Sequence, residues 1–174
     1  PPGLAGTRRA ARRVGRPLAK WLVDTGGRLD ARSATAIGLC DDSVSFAELD
    51  ARCEQALAAG AVRDREAPAT APSSDWQPLW DFFSSHSVDQ ILSGGAPTGD
   101  DPRLERAVKK MRQKSPHALA QVERVFAQGE QLELEAALDI ELEGLKEVFL
   151  HPDALEGMTA LLDGRRPEFA KVTV

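Results

Sequence analysis

Leu134, Leu138, Leu142, Leu145 and Phe149 recur at spacings of three and four, with Ala137, Gly144 and Val148 beside them. That period belongs to the α-helix and lays a broad apolar stripe along one face of it. So much apolar surface needs cover, so the spacing predicts burial against neighbouring helices or another subunit. Shorter stripes of the same period fill most of the remaining chain, each closed by Gly or Pro. Such a chain has to fold as a set of short helices packed on one another.

The punctuation places most of them. Thr7 is positioned to cap a basic helix through Ala11, Val14 and Leu18, which Gly15 and Pro17 divide in two. Pro17 suits the first turn of the second, where a missing N–H costs nothing, and Leu18, Trp21 and Leu22 give it a buried face ending at Gly26-Gly27. Asp30 reads as the N-cap of a helix through Ala31, Ala34 and Ile37, with Gly38 as its stop. A brief extended link, 39–44, leads to the capping box Ser45-Phe46-Ala47-Glu48 and a helix striped by Phe46, Leu49, Cys53 and Leu57, ending at Gly60. After an aperiodic stretch, Trp76, Leu79, Trp80, Phe82 and Phe83 form a packing plug, and a short helix follows at Ser87 to Leu92. Beyond Gly94-Gly95-Ala96-Pro97, one helix carries Leu104, Val108 and Met111. Ser115-Pro116 opens another through Leu119, Val122 and Phe126, which Gly129 ends.

Only 5% of the 174 residues are aromatic and Tyr is absent, so composition also favours helix over sheet. A net charge of -5 argues against a protein that coats nucleic acid, since that binding is driven by neutralising phosphates. The arginines from Arg8 to Arg16 are the one basic run, and Ala10, Ala11, Val14 and Leu18 among them need burial. Cys40 and Cys53 make no CxxC motif and are read as reduced, half-buried thiols. His86, His117 and His151 have no metal-ligand spacing, and Ser115-Pro116-His117 lacks the Gly-x-Ser-x-Gly elbow, so no metal site and no catalytic role is assigned to them. Glu141 and Glu143, two apart on a helix, point to different faces and read as surface charges. No apolar run reaches the roughly 20 residues of a membrane span and no signal peptide opens the chain, so a cytoplasmic protein with no membrane partner is expected.

Pro2-Gly3-Leu4-Ala5-Gly6-Thr7-Arg8-Arg9, with Arg13-Val14-Gly15-Arg16-Pro17-Leu18-Ala19 after it, resembles the Pro-Gly, small, small, Thr, Arg and Val-Gly-x-x-x-Ala pattern of the crotonase (enoyl-CoA hydratase/isomerase) superfamily. Thr25-Gly26-Gly27-Arg28-Leu29-Asp30-Ala31, then Ala34, Ala36-Ile37-Gly38-Leu39 and a short acidic strand, looks like that family's next stretch. Near the end, Phe149, Pro152-Asp153, Glu156-Gly157-Met158, Ala160 and Arg165-Arg166-Pro167-x-Phe169 resemble its C-terminus in order and spacing. The middle is similar to the enlarged segment of the 3-hydroxyisobutyryl-CoA hydrolase branch, at Trp80-Asp81-Phe82-Phe83, Ser87 to Leu92 and Lys114-Ser115-Pro116-His117-Ala118-Leu119. That branch carries a catalytic Asp where this chain has Gly3, the residue that hydratases carry.

The resemblance implies a mainly α chain, the C-terminal helical portion of a crotonase α/β (ββα-spiral) fold, with the N-terminal core half absent. The opening Pro1-Pro2-Gly3, with no Met, fits a truncation. Residues 1–60 would end the crotonase core in short helices and a short strand, 61–75 would be a linker, and 76–174 a helical oligomerising, CoA-proximal region. The implied chemistry is hydration or double-bond isomerisation of an acyl-CoA through a thioester enolate held by two backbone N–H groups. Those donors and the family's proton-moving Glu pair would precede Pro1, so no catalytic residue is expected here. Pro2 and Gly3 would border the acyl pocket, although a glycine required by the turn alone is equally consistent. Phe149, Arg165, Arg166 and Lys171 are the CoA-binding candidates, set against plain core packing for Phe149 and solvated charge for the cations. No cofactor is implied beyond the CoA thioester substrate. The implied partners are acyl-CoA, the N-terminal half and further copies in a homotrimer or hexamer. Two alternatives stay open: a 3-hydroxyacyl-CoA thioester hydrolase and a non-enzymatic helical assembly module.

Overall fold

A computed structural model describes residue 3 and residues 6–60, 68–129 and 132–169. Among them there is no strand, and ten α-helices follow one another, with short 3-10 turns at Phe46–Glu48 and Ser74–Trp76. The mainly α expectation is met. The extended link at 39–44 is not a strand: 39–41 bend and 42–44 take no regular structure. Of the 61–75 stretch, 61–67 lie outside the described residues.

Helices α1 (Gly6–Val14) and α2 (Arg16–Thr25) meet at Gly15, whose φ of 78° is left-handed. A Cβ there would lie 2.3 Å from the Trp80 ring, so only glycine lets the aromatic plug reach the joint. Thr7 does not cap α1: it lies one residue inside the helix and is buried. Helix α2 ends at left-handed Gly26, and α3 (Ala31–Ala36) starts on the Asp30 carboxylate, which accepts from the Ser33 N–H at 2.6 Å. Helix α4 (Leu49–Ala58) follows the Ser45–Glu48 capping box.

The core sits around α2. It takes Val14, Leu18 and Ala19 from the first two helices, and Leu79, Trp80, Phe82 and Phe83 from α5 (Gln77–Ser85). Short α6 (Val88–Ser93) adds Val88 and Ile91, α7 (Pro102–Met111) adds Leu104 and Met111, and α8 (Pro116–Gly129) adds Leu119, Val122 and Phe126. Phe82 and Phe83 meet edge to face with centroids 5.3 Å apart, an arrangement worth about 1 kcal/mol beyond burial. The aromatics are therefore a plug, as their clustering predicts.

Helix α9 (Leu134–Leu150) packs along α8, and α10 (Pro152–Leu162) folds back on α9. The face that α9 buries is Ala137, Glu141 and Gly144, not the leucine stripe. A Cβ on Gly144 would come within 2.9 Å of Val125, so the small residues set how closely the two helices approach. Leu134, Leu138, Leu142 and Phe149, about 100° further round, are exposed, as are Leu155, Met158, Leu161 and Leu162 on α10. Helix α4 likewise leaves Leu49 and Leu57 uncovered, with Phe46 92% exposed. Both cysteines are exposed rather than half-buried.

Candidate functional site

The C-terminal half of the chain encloses one large groove. The link between α7 and α8 brings Arg112, Lys114 and Ser115; α9 ends in Val148 and Phe149; α10 and the residues after it bring Met158, Leu161, Arg166 and Phe169. Together with the first turns of α8 and α10 they bound about 710 Å³.

Local folding sets its floor. Ser115 caps α8 by accepting the Ala118 N–H at 3.1 Å, and its hydroxyl donates to Asp153 Oδ2 at 2.5 Å. Both side chains are buried, so this bond ties the start of α8 to the start of α10. Beside it, the imidazoles of His117 and His151 stack with centroids 3.9 Å apart and planes 8° apart. His151 Nδ1 accepts the Asp153 N–H at 3.2 Å and lies 3.7 Å from the Asp153 carboxylate. No sequence signal joins these four residues; only the meeting of the start of α10 with the start of α8 does.

The predicted CoA residues divide. Phe149 is 66% exposed and lines the groove, so it is not core, because α9 turns its small-residue face to α8. Arg166 lines the same groove. Arg165 is held elsewhere by a two-pronged ion pair with Glu156, at 2.7 and 2.9 Å, and also reaches Asp163. Those hydrogen bonds, with the Glu168 N–H donating as well, hold the Glu156 carboxyl down at about 2. Pro2 and Lys171 lie outside the described residues. Gly3 is exposed and its carbonyl accepts the Gly6 N–H at 3.2 Å in the turn that opens α1.

That turn is anchored from α9. Thr7 Oγ1 donates to Glu141 Oε2 at 2.6 Å, and Glu141 is only 3% exposed. Glu141 is thus a buried structural carboxylate and not a surface charge, because α1 crosses α9 at this height and offers it a hydroxyl donor.

A second buried cluster lies where α2 meets α8. Lys20 Nζ donates to Glu123 Oε1 at 3.0 Å, while Asp24, one turn along α2, is 1% exposed and neither of its oxygens has a hydrogen-bond partner among the described residues. Desolvation pushes the Asp24 carboxyl up from its ordinary 3.8 to about 7, against the pull of Lys20 and with help from Glu123. Among the described residues, no group of His, Cys, Asp and Glu is arranged to hold a metal ion, and no helix is long and apolar enough to cross a membrane.

A search of curated proteins finds no match to the chain. The family model for enoyl-CoA hydratase/isomerase matches residues 4–174, which takes in all of the crotonase-like segments except the opening Pro2-Gly3; the chain belongs to that family.

Proposed function

We propose that these residues form the CoA-facing and assembling helices of an enzyme that hydrates or isomerises an acyl-CoA thioester through its enolate. The observation that carries this reading is the convergence of Phe149 and Arg166 with Arg112 and Lys114 on one groove. Coenzyme A presents phosphates beside an adenine, and a rim of cations next to an apolar, aromatic slot suits both. The reading assigns no catalytic residue within 1–174; Pro2 and Gly3 border the acyl pocket, and Lys171 adds a cation. Copies of the chain assemble through the outward leucines of α9 and α10, and a β-rich region with the oxyanion donors packs against the remaining apolar faces.

Calorimetric titration of CoA into the chain tests the reading. Arg166→Ala and Phe149→Ala should each weaken binding about tenfold, the worth of one charge-assisted hydrogen bond or one aromatic contact. Equal affinity in wild type and both variants would refute it. Thioester hydrolysis is the second reading, supported by Lys114, Ser115 and His117 of the hydrolase-like stretch lining the groove. Assay of the natural protein separates the two: a hydratase consumes the enoyl double bond with the thioester intact, whereas a hydrolase releases a free thiol. A protein that does neither and still self-associates would support the assembly module.

A further inference from the structure

We infer that His117 and His151 are the proton-accepting members of the groove's phosphate site, so that an organic phosphate binds there with uptake of a proton; this rests on the reading that the groove takes CoA. The charged and titratable residues lining the groove are Arg112 and Lys114 before α8, His117 in its first turn, His151 and Asp153 at the start of α10, and Arg166 beyond it. Helix α9 contributes only Val148 and Phe149 there. Among the described residues the fixed charges are therefore three cations and one carboxylate, and the carboxylate is already bonded to Ser115. An excess of cations of this kind favours an anion.

An arriving phosphate brings negative charge and an acceptor beside the imidazoles, and both effects favour an imidazolium. The pair can house one such charge. In the neutral state His151 Nδ1 accepts the Asp153 N–H, and once protonated it has the Asp153 carboxylate 3.7 Å away to donate to. The neutral partner ring, lying parallel at 3.9 Å, offers its π face to the cation. A second proton would set like charges face to face. His117 Nε2 is buried and has no hydrogen-bond partner among the described residues, so that ring has an unused polar atom beside the groove.

Imidazoles change charge between about pH 5 and 8, so the linkage falls in an accessible range. The test is calorimetry with the full chain at pH 6, 7 and 8, in buffers of differing ionisation enthalpy. The probes are CoA and dephospho-CoA, whose diphosphate diester keeps a constant charge across this range. Dephospho-CoA should bind about tenfold more tightly at pH 6 than at pH 8, taking up close to one proton. His117→Gln and His151→Gln should each remove most of that uptake and flatten the dependence of affinity on pH. Should either variant fail to fold, the His C2 proton resonances of the wild-type chain serve instead: added dephospho-CoA should move their titration to higher pH. Binding that is equal at pH 6 and 8, unchanged uptake in the variants, or histidine titrations indifferent to ligand would overturn the inference and leave the CoA reading standing. No binding of either probe at any pH would remove both.

Discussion

Replacing Asp24 with Asn should make this chain more stable at neutral pH, by an amount that grows with pH. In the folded chain the Asp24 carboxyl titrates at about 7, against 3.8 ordinarily. An acid whose folded pKa is raised keeps its proton in the native state while the unfolded chain has already lost it. Native stability therefore falls as pH rises from about 4, and the loss is complete once pH passes about 7. At 1.36 kcal/mol for each tenfold change in proton affinity, the full loss is about 4 kcal/mol, a large share of the 5–15 kcal/mol typical of a domain. Asn has the shape of the acid and no ionisation, and neither oxygen of Asp24 has a hydrogen bond to lose. Wild type and variant should thus match near pH 4 and differ by about 4 kcal/mol at pH 8. Urea denaturation of both proteins across that range measures the difference directly, and other titrating groups cancel between them. A constant offset between the two curves would refute the reasoning, since Asp24 would then be ionised throughout or solvated in the folded chain.

Gly15→Ala should cost about 3 kcal/mol or prevent folding, because the new Cβ would meet the Trp80 ring at 2.3 Å with the backbone at a φ of 78°; the urea midpoint reports it. Thr7→Val strands the buried Glu141 carboxylate and should cost about 3 kcal/mol, whereas Glu141→Gln keeps an acceptor for Thr7 and should cost less than about 1 kcal/mol. Arg165→Ala should leave CoA affinity unchanged while Arg166→Ala lowers it, because Arg165 is committed to Glu156; parallel calorimetry of the two variants checks the contrast.

Local chemistry was readable from the residues alone. The Asp30 cap, the Ser45–Glu48 box, the helix end at Gly26 and the helix opened by Ser115-Pro116 all follow rules that act within one turn of chain. The aromatic plug was readable too, since nothing but burial suits so many large rings. What escaped was set by partners distant in sequence. The α9 stripe predicts that leucines are buried, but close approach to α8 selects the small face at Ala137 and Gly144 and turns the leucines outward. Glu141 reads as a surface charge until Thr7, 134 positions away, is seen to donate to one of its oxygens in the interior. Phe149 reads as core for the same reason that the leucines do. The His117–His151 stack and the Ser115–Asp153 bond have no signature in spacing, because each joins the starts of two different helices.

The claim on which the account rests is that the groove bounded by α8, α9 and α10 receives coenzyme A. Backbone amide shifts of the isotope-labelled chain, followed while CoA is added, test it most directly. The account predicts saturable changes concentrated at Arg112 to Ala118, at Val148 to Ala154 and around Arg166, with the α4 and α5 amides unmoved. Changes centred elsewhere, or none at CoA concentrations that saturate the other members of the family, would contradict it.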